Sequence, residues 1–201
     1  MIGNDLIDLS HWPIRLGRRR ERYLAKVFTE WEQEWIRYSG TPYLTEAWLW
    51  SLKEAAYKLE RHSQASRRWS PKEYGCKPPR CGLLPSKGVM QIGQRQLCFS
   101  SSRNAKELHT VVWPCDLNLG SPSWQVQDQR PDYLPQTNVR LRKDSEGRPY
   151  GCRGSLYIPC SRSHDGGRHA LAWIPGSGIF EGSDSTSSRG TRRSVQVQIS
   201  P

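Results

Sequence analysis

The chain is short of methionine, has no CxxC pair and contains no long apolar run. Only 2 of its 201 residues are Met. Its six cysteines stand at 76, 81, 98, 115, 152 and 160. No histidine lies at zinc-finger spacing from them, which argues against a structural zinc site. No apolar stretch approaches the ~18 residues that span a bilayer. The first residues, MIGNDLIDL, carry two aspartates and no basic stretch ahead of an apolar one, unlike a secretory leader. The expectation is a soluble protein of a reducing cytoplasm with free thiols.

Acidic residues are also scarce. Lys and Arg number 30 against 19 Asp and Glu, a formal net charge of +11. The resulting pI of about 9.7 favours acidic partners: nucleic acid, anionic lipid, a phosphate-rich ligand or an acidic protein. Apolar content of 35% with nine Trp suffices for one packed domain.

Helical signals come first. Ile2 to Leu9 reads as a buried strand broken by Asp5 and Asp8. Leu16 to Lys26 reads as a basic helix with Arg18, Arg19, Arg20 and Arg22 clustered, closed by Val27 and Phe28. Thr29 and Glu32 form a capping box for a second helix running to about Tyr38, with Gly40 as its stop. Thr41 and Pro42 open a third helix, which carries Trp48, Trp50, Glu54 and Lys58 and fades near His62.

Strand signals follow. Pro71, Pro78, Pro79 and Pro85 exclude a long helix after Arg67. Val89 to Ile92 and Arg95 to Phe99 read as a hairpin turning at Gly93-Gln94, with Leu108 to Trp113 as a further strand. Residues 114–135 read as a loop-rich connection. Val139 to Arg142, Ser155 to Ile158 and Ala170 to Ile174 complete the strand candidates, and Pro159 points to a short or edge strand. The class is α+β, with N-terminal helices packed on an antiparallel sheet. One domain is expected over residues 1–174, with about 75–135 as a loop-rich β insertion. Residues 175–201 read as a disordered tail, in which Val195, Val197 and Ile199 form an edge strand or nothing.

The stretch WSLKEAAYK, Trp50 to Lys58, organises the rest. Glu54 and Lys58 are four apart and share a helix face. By itself such a pair is most often a solvated salt bridge, worth a few tenths of a kcal/mol. The alternative is a metal ligand or base beside a phosphate-binding cation. Four other segments shift that balance: IGNDLIDL at 2–9, VFTEWEQEWI at 27–36, EGRPY at 146–150 and SRSHDGG at 161–167.

Together these segments resemble the 4′-phosphopantetheinyl transferase superfamily, in particular its holo-acyl-carrier-protein synthases. The family pattern has a Gly-x-Asp strand, a Phe-x-x-x-Glu helix start, a Lys-Glu-Ala-x-x-Lys helix, a Gly-Lys-Pro turn and a Ser-x-Ser-His loop. The resemblance covers residues 2–60 and 139–173, little of 75–135, and nothing after 174. It implies transfer of the 4′-phosphopantetheine arm of coenzyme A to a serine of an apo acyl or peptidyl carrier protein, with release of 3′,5′-ADP. The carrier would be acidic and serve fatty acid, polyketide or peptide synthesis. By the same resemblance Asp5 and Glu54 would hold Mg²⁺, Glu54 would assist deprotonation of the serine, and Lys58 would stabilise the leaving group. Arg148 stands at the lysine of the Gly-Lys-Pro turn; Ser163 and His164 would contact the phosphates and adenosine of coenzyme A. Arg162 would add a phosphate contact. Where larger members carry a further acid, this chain has Ile7, so two carboxylates completed by water are expected. Asp8 reads as a solvated strand-end carboxylate and Glu32 as structural first. The arginines at 18–22 would dock the acidic carrier.

Two rivals follow from the same residues. The charge and tryptophans permit a nucleic-acid-binding protein without catalysis, although no nucleic-acid motif is present. A catalytically dead scaffold is the other, against which Asp5, Glu54 and Lys58 stand. The motif order matches the small family members that form homotrimers with sites between protomers. A homotrimer is therefore expected, with the metal and acid residues of one protomer facing the nucleotide loop of a neighbour. The middle insertion would instead allow a working monomer.

Overall fold

A computed structural model describes residues 1–12, 20–63, 68–76, 84, 86–116, 121–175 and 179–180. Arg18, Arg19, Cys81, Pro78, Pro79, Pro85 and the expected tail strand at Val195 to Ile199 lie outside the described residues.

The chain opens with strand β1, Gly3–Asp8. Three helices follow: α1 (Arg20–Val27), α2 (Glu30–Tyr38) and α3 (Pro42–Ser63). The capping box at the start of α2 forms, since Thr29 Oγ1 accepts from the Glu32 amide and the Glu32 carboxylate accepts from the Thr29 amide. Helix α2 ends through Ser39 in extended conformation, so Gly40 is not its left-handed stop.

Strands β2 (Lys87–Ile92), β3 (Arg95–Arg103) and β4 (Glu107–Pro114) join β1 in an antiparallel sheet of order β1-β4-β3-β2. The turn between β2 and β3 falls at Gly93-Gln94, where Gly93 has a φ of +55°. A second antiparallel sheet runs β5-β9-β8-β7-β6. Its strands are β5 (Ser123–Gln127), β6 (Arg140–Lys143), β7 (Pro149–Arg153), β8 (Leu156–Asp165) and β9 (Arg168–Trp173). A short β10, Ile179–Phe180, pairs with β8. The class is α+β, as expected.

The main core lies between α3 and the first sheet. Leu52, Ala55, Ala56 and Leu59 are fully buried there with Phe28, Leu97 and Val112. Each such leucine contributes about 1.5–3 kcal/mol relative to exposure. A smaller cluster of Leu134, Val139, Ile158, Cys160 and Leu171 underlies the second sheet.

Three expectations are corrected. Residues 114–135 are not all loop, because Ser123–Gln127 forms β5. The segment around Ser163 is no loop and no edge: β8 has ten residues and lies inside the sheet. Pro159 is tolerated because it sits at a switch of partners. Residues 156–159 of β8 pair with β7, and 160–165 with β9. Finally, the thiols are not all free. Cys98 and Cys115 form a disulfide, with Cα atoms 5.0 Å apart. The register explains it, since Cys98 opposes Trp113 and the Cys115 amide donates to Gln96 O. Cys76, Cys152 and Cys160 are free.

Candidate active site

The site forms where β1 passes between α3 and β8. Glycine at position 3 makes the first approach possible. A Cβ there would overlap the Ala55 carbonyl oxygen and lie 2.7 Å from the Leu59 amide nitrogen. With only hydrogen at Gly3, β1 lies directly on α3, and Asp5 two residues on reaches the face that carries Glu54 and Lys58.

The second approach is made by side chains. On one edge β1 pairs with β4. On the other, every second amide of β1 is met by a side chain of β8. Asn4 N donates to Ser161 Oγ at 2.9 Å, Leu6 N to Ser163 Oγ at 3.1 Å, and Asp8 N to Asp165 Oδ2 at 2.8 Å. Both strands repeat with period two, so alternate residues stay in step. Three amides that a sheet edge would leave unpaired are thus satisfied.

Lys58 turns to Asp5, not to Glu54. Its ammonium donates to Asp5 Oδ1 at 2.9 Å and to Ser163 Oγ at 3.1 Å. The solvated helix pair is therefore not what forms. Ser163 Oγ in turn donates to Asp5 Oδ1 at 3.2 Å. Glu54 is mostly buried beside this cluster. Burial and then the Asp5 charge raise its carboxyl to about 7, with Lys58 opposing. A carboxyl poised near neutrality suits a general base.

The donor set fits one divalent cation. Asp5 Oδ2 is buried and has no hydrogen-bond partner, and the Asp5 and Glu54 charges repel each other. A buried oxygen left unpaired is costly. Mg²⁺ takes one or two carboxylates with phosphate oxygens and water. Among the described residues no group of three or more His, Cys, Asp or Glu converges. Ile7 is buried and contributes no ligand. Asp8 is engaged in its own turn with Ser10 and His11, chiefly through Ser10, which holds it at about 2.

From Lys58 a cleft of about 140 Å³ opens, lined also by Arg61, Arg148, Ser161 and Arg162, with Glu146 as a carboxylate at its wall. Arg148 is held by the turn before it: Asp144 accepts from its amide and, at 2.6 Å, from its Nε. Gly147 permits that turn with a φ of +78°. Burial and the Arg130 charge lower the Arg162 guanidinium below its ordinary value. So many guanidinium groups around one small cleft suit a phosphate. Two larger grooves, about 550 and 850 Å³, are lined by aromatic and basic side chains and by none of Asp5, Glu54, Lys58 or Ser163.

The structure thus brings together Asp5, Glu54, Lys58 and Ser163, with Arg148 and Arg162 on the adjoining cleft. His164 alternates with Ser163 and points to the other side of β8, exposed and stacked on His169 with ring centroids 5.9 Å apart. Glu32 stays structural. Its buried carboxylate meets Lys53 Nζ at 2.9 Å and accepts from the Cys76 amide, while Lys53 also donates to Pro71 O and Tyr74 O. Arg20 is spent on Glu46, whereas Arg22 is exposed. Sequence reading missed Arg61, Ser161 and Asp165. Arg61 lies three residues after Lys58, on its helix face. The alternation Ser161-x-Ser163-x-Asp165 was the signal for the other two. The parts expected to meet across a protomer boundary, Asp5 and Lys58 on one side and Ser163 on the other, meet within one chain.

Residues 1–73 match the family model of the 4′-phosphopantetheinyl transferase superfamily. The matched span holds β1, all three helices, Asp5, Glu54 and Lys58. The resemblance read from the motifs is borne out over that span, and it supports phosphopantetheinyl transfer as the class of activity. No curated protein and no solved structure matches the chain. No described helix is long and apolar enough to cross a membrane.

Proposed function

We propose that this chain moves the 4′-phosphopantetheine arm of coenzyme A onto a serine of an apo acyl or peptidyl carrier protein and releases 3′,5′-ADP. One observation carries the reading: the buried, partnerless Asp5 Oδ2 lies beside a carboxyl raised to about 7 and next to a cation-lined cleft. The serine oxygen forms its bond to the β-phosphorus of coenzyme A as the pyrophosphate P–O bond breaks. Glu54 takes the serine proton, directly or through water. Asp5 and Glu54 would hold Mg²⁺, which neutralises charge on the phosphates. Lys58 spends two of its three N–H groups on Asp5 and Ser163 and keeps one for charge growing on the departing 3′,5′-ADP. Arg148 and Arg162 hold phosphate oxygens in the cleft, and His164, outside the cleft but on the same side of β8 as Arg162, reaches the adenosine beyond it. The acidic face of the carrier is drawn by the chain's positive charge.

The test is 3′,5′-ADP release from coenzyme A and Mg²⁺ with an apo carrier protein. Release should require the carrier and vanish in Asp5→Ala and Glu54→Ala chains of intact circular dichroism. Full release by the Asp5→Ala chain would refute the site.

A further inference from the structure

We propose that Ser163 is a positioning residue for the metal-binding carboxylate and not a contact of the coenzyme; this rests on the reading of Asp5 and Glu54 as the cation site. A hydroxyl has one proton to give and two lone pairs. Ser163 Oγ gives its proton to Asp5 Oδ1 at 3.2 Å and accepts from Leu6 N and Lys58 Nζ, each at 3.1 Å. Its capacity is full, and it has nothing left to offer a phosphate. The group is also nearly sealed, at 8% exposure.

What those bonds achieve is a choice between the two oxygens of Asp5. Ser163 and Lys58 both engage Oδ1. Oδ2 is left buried and unpaired. The carboxylate cannot rotate without breaking both bonds, so one oxygen is reserved for the cation. Partners behind a metal ligand commonly contribute ten- to a hundredfold in affinity. Ser161 supplies the internal comparison. It meets the Asn4 amide as Ser163 meets that of Leu6, but it makes no bond to Asp5 or Lys58. Loss of either hydroxyl strips one amide of β1, whereas only loss of Ser163 frees the carboxylate.

The experiment measures Mn²⁺ binding to the full chain by electron paramagnetic resonance, and coenzyme A affinity at saturating Mn²⁺ by calorimetry. Ser163→Ala should weaken Mn²⁺ binding about tenfold and leave coenzyme A affinity within about twofold, far below the effect on the ligand it supports. Ser163→Thr, which keeps the hydroxyl, should restore Mn²⁺ binding, and Ser161→Ala should weaken Mn²⁺ binding clearly less than Ser163→Ala does. Should Ser163→Ala fail to fold, Ser163→Cys, similar in size with a weaker donor, takes the measurement. Unchanged Mn²⁺ binding in Ser163→Ala overturns the proposal. So does an equal loss in Ser161→Ala, or a loss of coenzyme A affinity with Mn²⁺ binding intact. An unaltered chain that shows the Mn²⁺ pattern but modifies no carrier defeats the transferase reading and leaves the role of Ser163 standing.

Discussion

Gly3 and Ala55 touch backbone to backbone: no side chain fits between them, and a Cβ at residue 3 would overlap the Ala55 carbonyl oxygen. Strand β1 and helix α3 are thereby held at the one separation at which Asp5 meets Lys58 across 53 residues of sequence.

Gly3→Ala is therefore expected to be among the most damaging small substitutions in the chain. Overpacking against backbone should lower stability by about 1–3 kcal/mol or more. The loss should appear in thermal melts together with weaker divalent-cation binding, because Asp5 is pushed off the helix. A variant with the melting temperature and cation affinity of the unaltered chain would contradict this role.

Lys58 and the cleft residues should separate in kinetics. Charge on the leaving group grows in the transition state, so Lys58→Ala should lower kcat about 10²–10³-fold with a smaller change in coenzyme A binding. Arg148→Ala and His164→Ala should act mainly on coenzyme A binding. Steady-state kinetics with parallel calorimetry decide it. The same pure binding defect in all three would remove Lys58 from the chemical step.

Acid should destabilise the fold through His109. This side chain is buried between the sheets, its Nε2 is paired with Asn4 Nδ2 at 3.1 Å, and it faces Trp124 and the Lys58 charge. Burial, and then Lys58, push it down to about 3. The unfolded chain binds a proton here near the ordinary value of about 6.5, whereas the folded chain does not until about 3. Between those values His109 binds more proton unfolded than folded, so its contribution to stability falls as pH falls, while Glu54, raised to about 7, contributes in the opposite sense above its ordinary value. Urea melts from pH 7 to 4 should therefore show His109→Gln, which keeps an acceptor for Asn4, gaining stability relative to the unaltered chain as pH falls. An equally steep slope in the variant would assign acid sensitivity elsewhere.

Much of this was legible because it is local. The capping box of Thr29 and Glu32, the turn at Gly93-Gln94 and the buried face of α3 follow from spacing alone. Motif chemistry singled out Asp5 and Glu54, and the structure brings their charges within reach of each other. What was hidden depends on register between distant strands. Nothing near Lys58 says that its partner is Asp5 and not Glu54. Pro159 suggested a strand end, but it falls where β8 exchanges β7 for β9. Cys98 and Cys115 carry no motif, and only the pairing of β3 with β4 brings them together.

Motif order suggested sites shared between protomers, but Ser163 reaches Asp5 in its own chain. Mixing inactive Glu54→Ala with His164→Ala, at a coenzyme A concentration too low for the weakened His164→Ala chain, should therefore restore no transfer, even where subunit exchange is demonstrated. Recovered activity would mean that His164 of one copy serves Glu54 of another.

The central claim is tested most directly by the intact mass of an apo carrier protein after incubation with this chain, coenzyme A and Mg²⁺. The account predicts a gain of one phosphopantetheine arm on a carrier serine, lost when Mg²⁺ is chelated and lost again in Glu54→Gln. A carrier of unchanged mass, in the presence of a folded chain that binds coenzyme A, would contradict it.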